Sequence, residues 1–277
     1  MSEKTNPFLQ SLEQKIAQSG AAAVGLAALD LQGDEEFLLR PDLSFHPAST
    51  FKLCVMLEAY HRAKQGRFSL EDPLRVKNEF HSIVDGSSFS LDPQDDSETD
   101  LYDHLGGRLP MRDLIRRMIT RSSNLATNLL IARLTPQAVT AFVHQLGAND
   151  LLVRRGVEDN LAYAQGLNNA ATARSLMQVL VRLARRQVVS PAASDEMISI
   201  LRQQYFNEGI PAGLPAEVAV AHKTGWNEKL YHDAAIVFPP GREPYALVVM
   251  TRGLSEEKEA PALVASISRL VFDHLTA

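Results

Sequence analysis

The order of strand-like and helical segments predicts a mixed α/β protein of the α+β type, in which a split antiparallel sheet carries an inserted helical domain. Strand-like runs lie near the two ends of the chain, and helical patterns fill the middle. The runs from both ends therefore have to meet in one sheet. Five such runs occupy residues 22–31, 36–40, 218–223, 234–238 and 245–251.

The terminal segments combine these strands with helices. Apolar residues recur at helical spacing over 8–16, and Gly20 is a suitable cap for that helix. Residues 32–34 predict a hairpin turn between the first two strands, and 239–241 join the last two. A closing helix carries an apolar face over 263–275. We therefore expect a five-stranded antiparallel sheet flanked by helices from both termini.

The middle of the chain is predicted to be helical from its start and stop signals. Helices are expected over 50–65, over 111–120, after Pro136 and after Pro191, with two or three more between 125 and 183. A cleft between the sheet and this helical insertion is the natural place for a site. The expected domain boundaries are 1–44 and 202–277 for the two parts of the α/β domain, and 45–201 for the inserted all-α domain.

Composition excludes several classes of partner. The chain has 277 residues and a net charge of -5, so it offers no electrostatic footprint for nucleic acid or an anionic membrane. The longest apolar stretch, over 21–31, is interrupted by Gly25 and Asp30 and is too short for a membrane span. Cys54 is the single cysteine, and no Cys/His cluster has zinc spacing, so we expect neither a metal nor another cofactor.

Residues 1–7 lack the profile of a signal peptide. We therefore expect a cytoplasmic protein, or a periplasmic or secreted one if a leader has been removed. We also expect a monomer that acts on a small molecule.

Ser49 and Lys52 are three residues apart at the start of a helical pattern, which places their side chains about one turn apart on one face. A desolvated lysine there is a base for the serine proton. A Ser-x-x-Lys match is expected about once by chance in a chain of this length. A second match, at 255–258, lies in a charged surface stretch, whereas Ser49 is embedded between Phe45 and an apolar helix.

Two further motifs add donors for an anionic or amide-bearing ligand. Lys223-Thr224-Gly225 ends a predicted strand, and its glycine allows another group to approach the backbone closely. Ser122-Ser123-Asn124 offers a hydroxyl and an amide in a short loop between helices. Taken alone, that triplet is more often a helix N-cap than part of a site.

These motifs, in this order and spacing, resemble the penicillin-recognising serine hydrolases, most closely the class A β-lactamases. The likeness covers nearly the whole chain, including the split sheet. It implies a bacterial hydrolase of the antibiotic-resistance type that acts through a covalent acyl-enzyme. It implies the following roles: Ser49 as nucleophile, Lys52 as its proton acceptor, Ser122 as proton relay, Asn124 as ligand of the substrate amide, Lys223 and Thr224 as ligands of its carboxylate, and the backbone N–H groups of Ser49 and Trp226 as the oxyanion hole beside Gly225.

The resemblance also implies that Glu158 activates the water that releases the acyl group. Ala162 stands where the family usually has an asparagine that helps to hold this water. The family's salt bridge across the neck of this loop is missing. Arg154 and Arg155 are available at one end, but the other end, Gly166-Leu167-Asn168-Asn169, has no carboxylate. We therefore expect a loop that is floppier or is held in a different way.

Other departures concern side chains near the expected site. Trp226 occupies a position that is usually small, where it either lines the pocket or packs in the domain interface. His232 is expected near an arginine position that helps to bind the substrate carboxylate. His46 is interpreted as structural, Cys54 as a buried apolar residue, and the acidic segment 92–103 as a solvated loop.

Three activities are compatible with these features. The first is hydrolysis of β-lactams, indicated by Glu158 and by the class A spacing. The second is hydrolysis of a non-lactam ester or a D-alanyl peptide, indicated by Ala162 and Trp226. The third is a penicillin-binding sensor that is acylated and then releases the acyl group slowly.

Overall fold

A computed structural model describes residues 7–254 and 258–277. Residues 255–257 of the second Ser-x-x-Lys match lie outside the described residues. The α-helices are α1 Pro7–Gln18, α2 Lys52–Lys64, α3 Met111–Thr120, α4 Asn124–Leu134, α5 Pro136–Gln145, α6 Asn160–Ala164, α7 Ala173–Ala184, α8 Pro191–Leu201 and α9 Glu259–Thr276. The strands are β1 Ala23–Asp30, β2 Glu35–Leu39, β3 Pro73–Arg75, β4 Phe80–His81, β5 Ser88–Phe89, β6 Arg108–Pro110, β7 Ala219–Asn227, β8 Leu230–Phe238 and β9 Tyr245–Arg252.

The main sheet confirms the prediction that strands from both ends of the chain meet. Its five strands have the order β2-β1-β9-β8-β7, and every neighbouring pair is antiparallel. The N-terminal β1 pairs with the C-terminal β9 along its whole length, from Ala23 opposite Arg252 to Asp30 opposite Tyr245. This arrangement leaves β7 at one edge of the sheet.

Each face of the sheet is covered by a different set of helices. Apolar residues of α1 and α9 pack with one face in a single cluster. Residues of the opposite face belong to a larger cluster that includes α2, α3, α4, α5, α7 and α8. Alternation of side chains along each strand explains how one sheet supplies both cores. The edge strand β7 also contacts a short 3₁₀ turn, Ala48–Phe51, which leads into α2.

The middle of the chain is not entirely helical. Two small antiparallel ribbons, β3 with β6 and β4 with β5, lie between α2 and α3. Their strands are two or three residues long, which is too short to show the alternation that predicts a strand. Within the two described ranges, we find no helix that is both long and apolar enough to span a membrane.

Candidate active site

Ser49 lies in the 3₁₀ turn just before α2, on a backbone that is held tightly. Ala48 has a φ of 45°, a left-handed conformation that is uncommon for a residue with a Cβ. Its N–H donates to His46 Nδ1 at 3.1 Å, and the Thr50 hydroxyl donates to the carbonyl of Pro47 at 2.6 Å. These contacts fix a partly exposed serine on a turn whose neighbours are buried.

Lys52 is completely buried beneath this turn. Its Nζ donates to the carbonyl of Ser122 at 2.6 Å and to Asn124 Oδ1 at 2.8 Å. Burial lowers the pKa of Lys52 to about 7, although nearby carboxylates partly oppose this effect. A large share of the amine is therefore neutral near pH 7. A neutral amine that donates twice keeps its lone pair for an incoming proton.

Ser122 lies between two buried lysines. Lys223 Nζ donates to Ser122 Oγ at 3.1 Å, and Lys52 Nζ lies 3.4 Å from the same oxygen. Burial lowers the pKa of Lys223 well below its ordinary value, and the charge of Lys52 lowers it further. Ser122 itself has a φ of 58°, so its backbone is also left-handed. The hydroxyl can accept a hydrogen bond from one amine and donate one to the other.

Asn124 connects Lys52 to Glu158. While its Oδ1 accepts from Lys52, its Nδ2 donates to Glu158 Oε1 at 2.8 Å. Glu158 is half-buried, and its backbone is left-handed with a φ of 60°. Burial raises the pKa of Glu158 above its ordinary value, and the carboxylates of Asp96 and Asp95 add to the rise. A raised carboxyl pKa is typical of general bases.

The loop that carries Glu158 is held in a different way from the family's salt bridge, as expected. Arg155 donates from Nε to the carbonyl of Leu167 at 3.1 Å and from its guanidinium to Asn168 Oδ1 at 2.8 Å. Asn169 Oδ1 accepts from the backbone N–H groups of Arg154 and Arg155. Neutral amide oxygens thus close the neck of the loop in place of a carboxylate.

Two further residues, which sequence reasoning missed, fasten the same loop. Asp159 accepts from the Ser82 hydroxyl and from the N–H of Ile83, both at 2.9 Å, and so ties the loop to the ribbon region. Asn128 of α4 exchanges two hydrogen bonds with the backbone of Val157, at 2.7 and 3.0 Å. The adjacent Glu158 is therefore supported from two sides.

Gly225 lets the edge strand β7 lie directly against the Ser49 turn. A Cβ at this position would be 2.6 Å from the backbone nitrogen of Ser49 and 2.9 Å from that of Thr50. Backbone atoms cannot yield as flexible side chains can, so any larger residue must push the two segments apart.

We expect Gly225→Ala to lower kcat by about a hundredfold, because misplacement of a reacting group by about 1 Å has that effect. The assay is steady-state turnover of a chromogenic cephalosporin. Gly33→Ala is the matched control, since the nearest atom to a Cβ there is 3.8 Å away. Equal activity of the two variants would show that the close contact is unimportant.

Comparison with known proteins identifies the family. The sequence model of the Beta-lactamase enzyme family matches residues 8–275. The chain belongs to this family.

Relatives and solved structures agree with that assignment. A carbapenem-hydrolyzing β-lactamase, KPC, of Klebsiella oxytoca is 26% identical over 268 residues, covering 94% of this chain and 87% of that protein. An ancestral (GNCA) class A β-lactamase structure is 26% identical with a TM-score of 0.83, covering 96% and 99% of the two chains. The structure of PBP-A shares the fold, with 21% identity and a TM-score of 0.83 over 98% and 97%.

Family and fold together support a serine β-lactamase with a class A fold. Homologues in this family are hydrolases that act through a serine acyl-enzyme.

His232, expected near the position of an arginine that helps to bind the substrate carboxylate, does not supply the charge of that arginine. It is completely buried opposite Gly225, where its Nε2 donates to the carbonyl of His46 at 3.0 Å and its Nδ1 accepts from the N–H of Thr251 at 3.2 Å. Burial lowers the pKa of His232 to about 4, so the ring is neutral near pH 7. This β-lactamase family member therefore uses His232 to tie the sheet to the Ser49 turn.

The interpretation of the acidic segment 92–103 as a solvated loop is wrong for two of its acidic residues. Asp96 and Glu98 are 6% and 9% exposed. Asp96 accepts hydrogen bonds from the start of α4, and Glu98 forms an ion pair with Arg117 of α3. These contacts join residues 19 to 29 positions apart, which no local pattern reveals.

Trp226 is 41% exposed, so it does not pack as a buried residue of the domain interface. Its ring meets the edge of Phe206, with 4.7 Å between the ring centres. Because side chains alternate along a strand, Trp226 lies on the same side of β7 as Thr224 and opposite to Lys223. Its contact with substrate stays a prediction.

The remaining two interpretations agree with the structure. Cys54 is completely buried, and burial raises its pKa to about 12, which makes it an inert thiol. His46 accepts from Ala48 through Nδ1 and from His232 through its carbonyl, so it serves the turn around Ser49.

Proposed function

We propose that the protein hydrolyses β-lactams with Ser49 as the nucleophile. The observation that carries this proposal is the continuous set of contacts from Lys223 through Ser122, Lys52 and Asn124 to Glu158, beneath the Ser49 turn. Each of these side chains donates or accepts a proton or a hydrogen bond. Such a set supplies both halves of an acyl-transfer reaction.

In the acylation step, Ser49 Oγ attacks the lactam carbonyl while its proton passes to the neutral amine of Lys52. The lactam C–N bond then breaks, and the nitrogen takes a proton from Ser122. Ser122 recovers that proton from Lys52, which lies 3.4 Å away. The products are an ester on Ser49 and a ring-opened amine, with Lys52 neutral again.

The edge strand β7 would bind the negatively charged group of the substrate. Lys223 and Thr224 would bind its carboxylate, and the buried Thr224 Oγ1 has no hydrogen-bond partner among the described residues. A buried polar atom without a partner is costly, so a carboxylate that accepted from it would be stabilised. The N–H groups of Ser49 and Trp226 would stabilise the oxyanion.

In the deacylation step, Glu158 would take a proton from water, which attacks the ester carbonyl. The bond to Ser49 Oγ then breaks, and that oxygen takes up the proton that Glu158 accepted from water, which regenerates the Ser49 hydroxyl and the Glu158 carboxylate. Ala162 is buried and presents a methyl group, so it cannot donate to or accept from this water. We therefore place the slow step of turnover at deacylation.

Steady-state assay of the pure protein with a chromogenic cephalosporin and with a p-nitrophenyl ester tests this function. The proposal predicts that kcat/KM is higher for the cephalosporin. Cleavage of the ester alone would contradict it and favour a hydrolase of non-lactam esters or D-alanyl peptides, the candidate to which Ala162 points.

Trp226→Ala is expected to raise KM for the cephalosporin about fivefold and to leave kcat close to wild type, because an aromatic contact contributes about 1 kcal/mol. Trp226→Phe keeps a ring and should restore most of the loss. An unchanged KM in Trp226→Ala would show that the indole does not contact substrate. Light scattering tests the expected monomeric state, and cell fractionation distinguishes a cytoplasmic protein from a periplasmic or secreted one.

A further inference from the structure

Asp96 is a buried carboxylate that the proposed reaction does not use. Its oxygens accept from the backbone N–H of Asn124 at 3.0 Å and from that of Leu125 at 2.9 Å. The Tyr102 hydroxyl and the N–H of Glu98 donate to it at 3.1 Å. Four donors thus converge on one side chain.

These contacts complete the start of α4. The first N–H groups of a helix have no acceptor within the helix, and a negative charge near them is stabilising. The Ser123 hydroxyl accepts from the N–H of Ala126 at 3.2 Å. Asp96 accepts from the two preceding groups, Asn124 and Leu125. The cap of α4 is therefore shared with a residue 28 positions before the helix begins.

The segment around Asp96 is itself anchored to the same junction. The Ser97 hydroxyl donates to the carbonyl of Arg121 at 2.7 Å, and Glu98 pairs with Arg117. Three successive residues thus bind the end of α3 and the start of α4. Asp96 is therefore held in place independently of its own hydrogen bonds.

We propose that Asp96 is a positioning residue of the Ser49 site: its carboxylate fixes the first turn of α4 so that Asn124 spans the gap between Lys52 and Glu158. Both contacts of the Asn124 side chain measure 2.8 Å, so a small shift of this turn breaks at least one of them. The proposal deepens the proposed function and rests on it.

The charge of Asp96 acts on the same two groups. Its carboxylate opposes the fall that burial causes in the pKa of Lys52, and it adds to the rise in the pKa of Glu158. The charged groups that face Lys52 are Asp96, Glu158 and Lys223. Removal of the negative charge at Asp96 should therefore lower both the Lys52 and the Glu158 pKa.

Asp96→Asn tests the proposal, because it keeps the shape of the side chain and removes its charge. We expect kcat/KM for the cephalosporin to fall about tenfold to a hundredfold through misplacement of Asn124. We also expect the acid limb of the pH profile of kcat/KM to move to lower pH. Asp103→Asn is the matched control, since Asp103 is exposed, lies in the same acidic segment and acts on the pKa of neither Lys52 nor Glu158, so it should leave both readouts unchanged.

Asp96→Glu changes the length of the side chain but keeps its charge. It should therefore lower kcat/KM without moving the acid limb of the pH profile. It also serves if Asp96→Asn does not fold. A purely structural role would lower the unfolding temperature and the rate of both variants, with no shift of the limb in either. That result, or an equal loss in Asp103→Asn, would overturn the proposal.

Titration of Lys52 by NMR of protein with ¹³C-labelled lysine separates this proposal from the proposed function. It needs no substrate. A lower Lys52 pKa in Asp96→Asn, in a protein that does not turn over cephalosporin, would reject the proposed function and keep the role of Asp96. If the wild-type protein is active and the Lys52 pKa is unchanged in Asp96→Asn, the proposed function is kept and the role of Asp96 is rejected.

Discussion

Ser49→Ala is expected to abolish turnover of the chromogenic cephalosporin, with kcat reduced by a factor on the order of 10⁶. The reason is that no other hydroxyl occupies its place on the 3₁₀ turn, so the acyl-enzyme cannot form. The measurement is steady-state hydrolysis by wild type and variant, together with the thermal unfolding of each. Ser49 is partly exposed, so its loss should change stability little.

Ser44→Ala is the matched control for this variant, because Ser44 is an exposed serine five residues before Ser49. It should be as active as wild type. Hydrolysis that survives in Ser49→Ala would exclude every mechanism that uses Ser49 as nucleophile.

Glu158→Gln is expected to slow deacylation by about 10²- to 10⁴-fold, the range typical of a general base. Acylation depends on Ser49 and Lys52 and should be affected less, so the acyl-enzyme should accumulate. The glutamine keeps an oxygen that accepts from Asn124, which limits the change to the loss of a base. Intact-mass spectrometry after removal of free penicillin measures the rate at which the acylated fraction decays.

Glu79→Gln is the control, since Glu79 is an exposed glutamate between the short strands β3 and β4, and it should leave the decay of the acyl-enzyme at its wild-type rate. The pH dependence gives a second check. Because the pKa of Glu158 is raised, deacylation should fail as the pH decreases toward that raised value, above the ordinary range of a glutamate. Unchanged deacylation in Glu158→Gln would assign the base to another group.

Much of the fold was predictable because its elements are long and carry local signals. The helix at Met111–Thr120 and the strands of the main sheet were expected within one or two residues at most ends, from periodicity, proline and glycine. The start of α2 was less exact, since the predicted helix begins as a 3₁₀ turn at Ala48. The short ribbons have no local signal at all.

The motif residues of the site were predictable for the same reason. Ser49 and Lys52 are one turn apart, and Lys223 to Gly225 are consecutive, so local geometry brings each group together. The contacts of Asp96, Asp159 and Asn128 were not predicted, because their partners are distant in sequence. The orientation of His232 depended on which face of β8 packs beneath the Ser49 turn, and that is a property of the assembled sheet.

A time course of intact mass after mixing with penicillin tests the central claim most directly. We predict a covalent adduct on wild type that peptide mapping places on Ser49 and that decays as the penicillin is consumed. The adduct should be absent in Ser49→Ala and persistent in Glu158→Gln. A wild-type protein that forms no adduct, or forms one on a residue other than Ser49, would contradict the account.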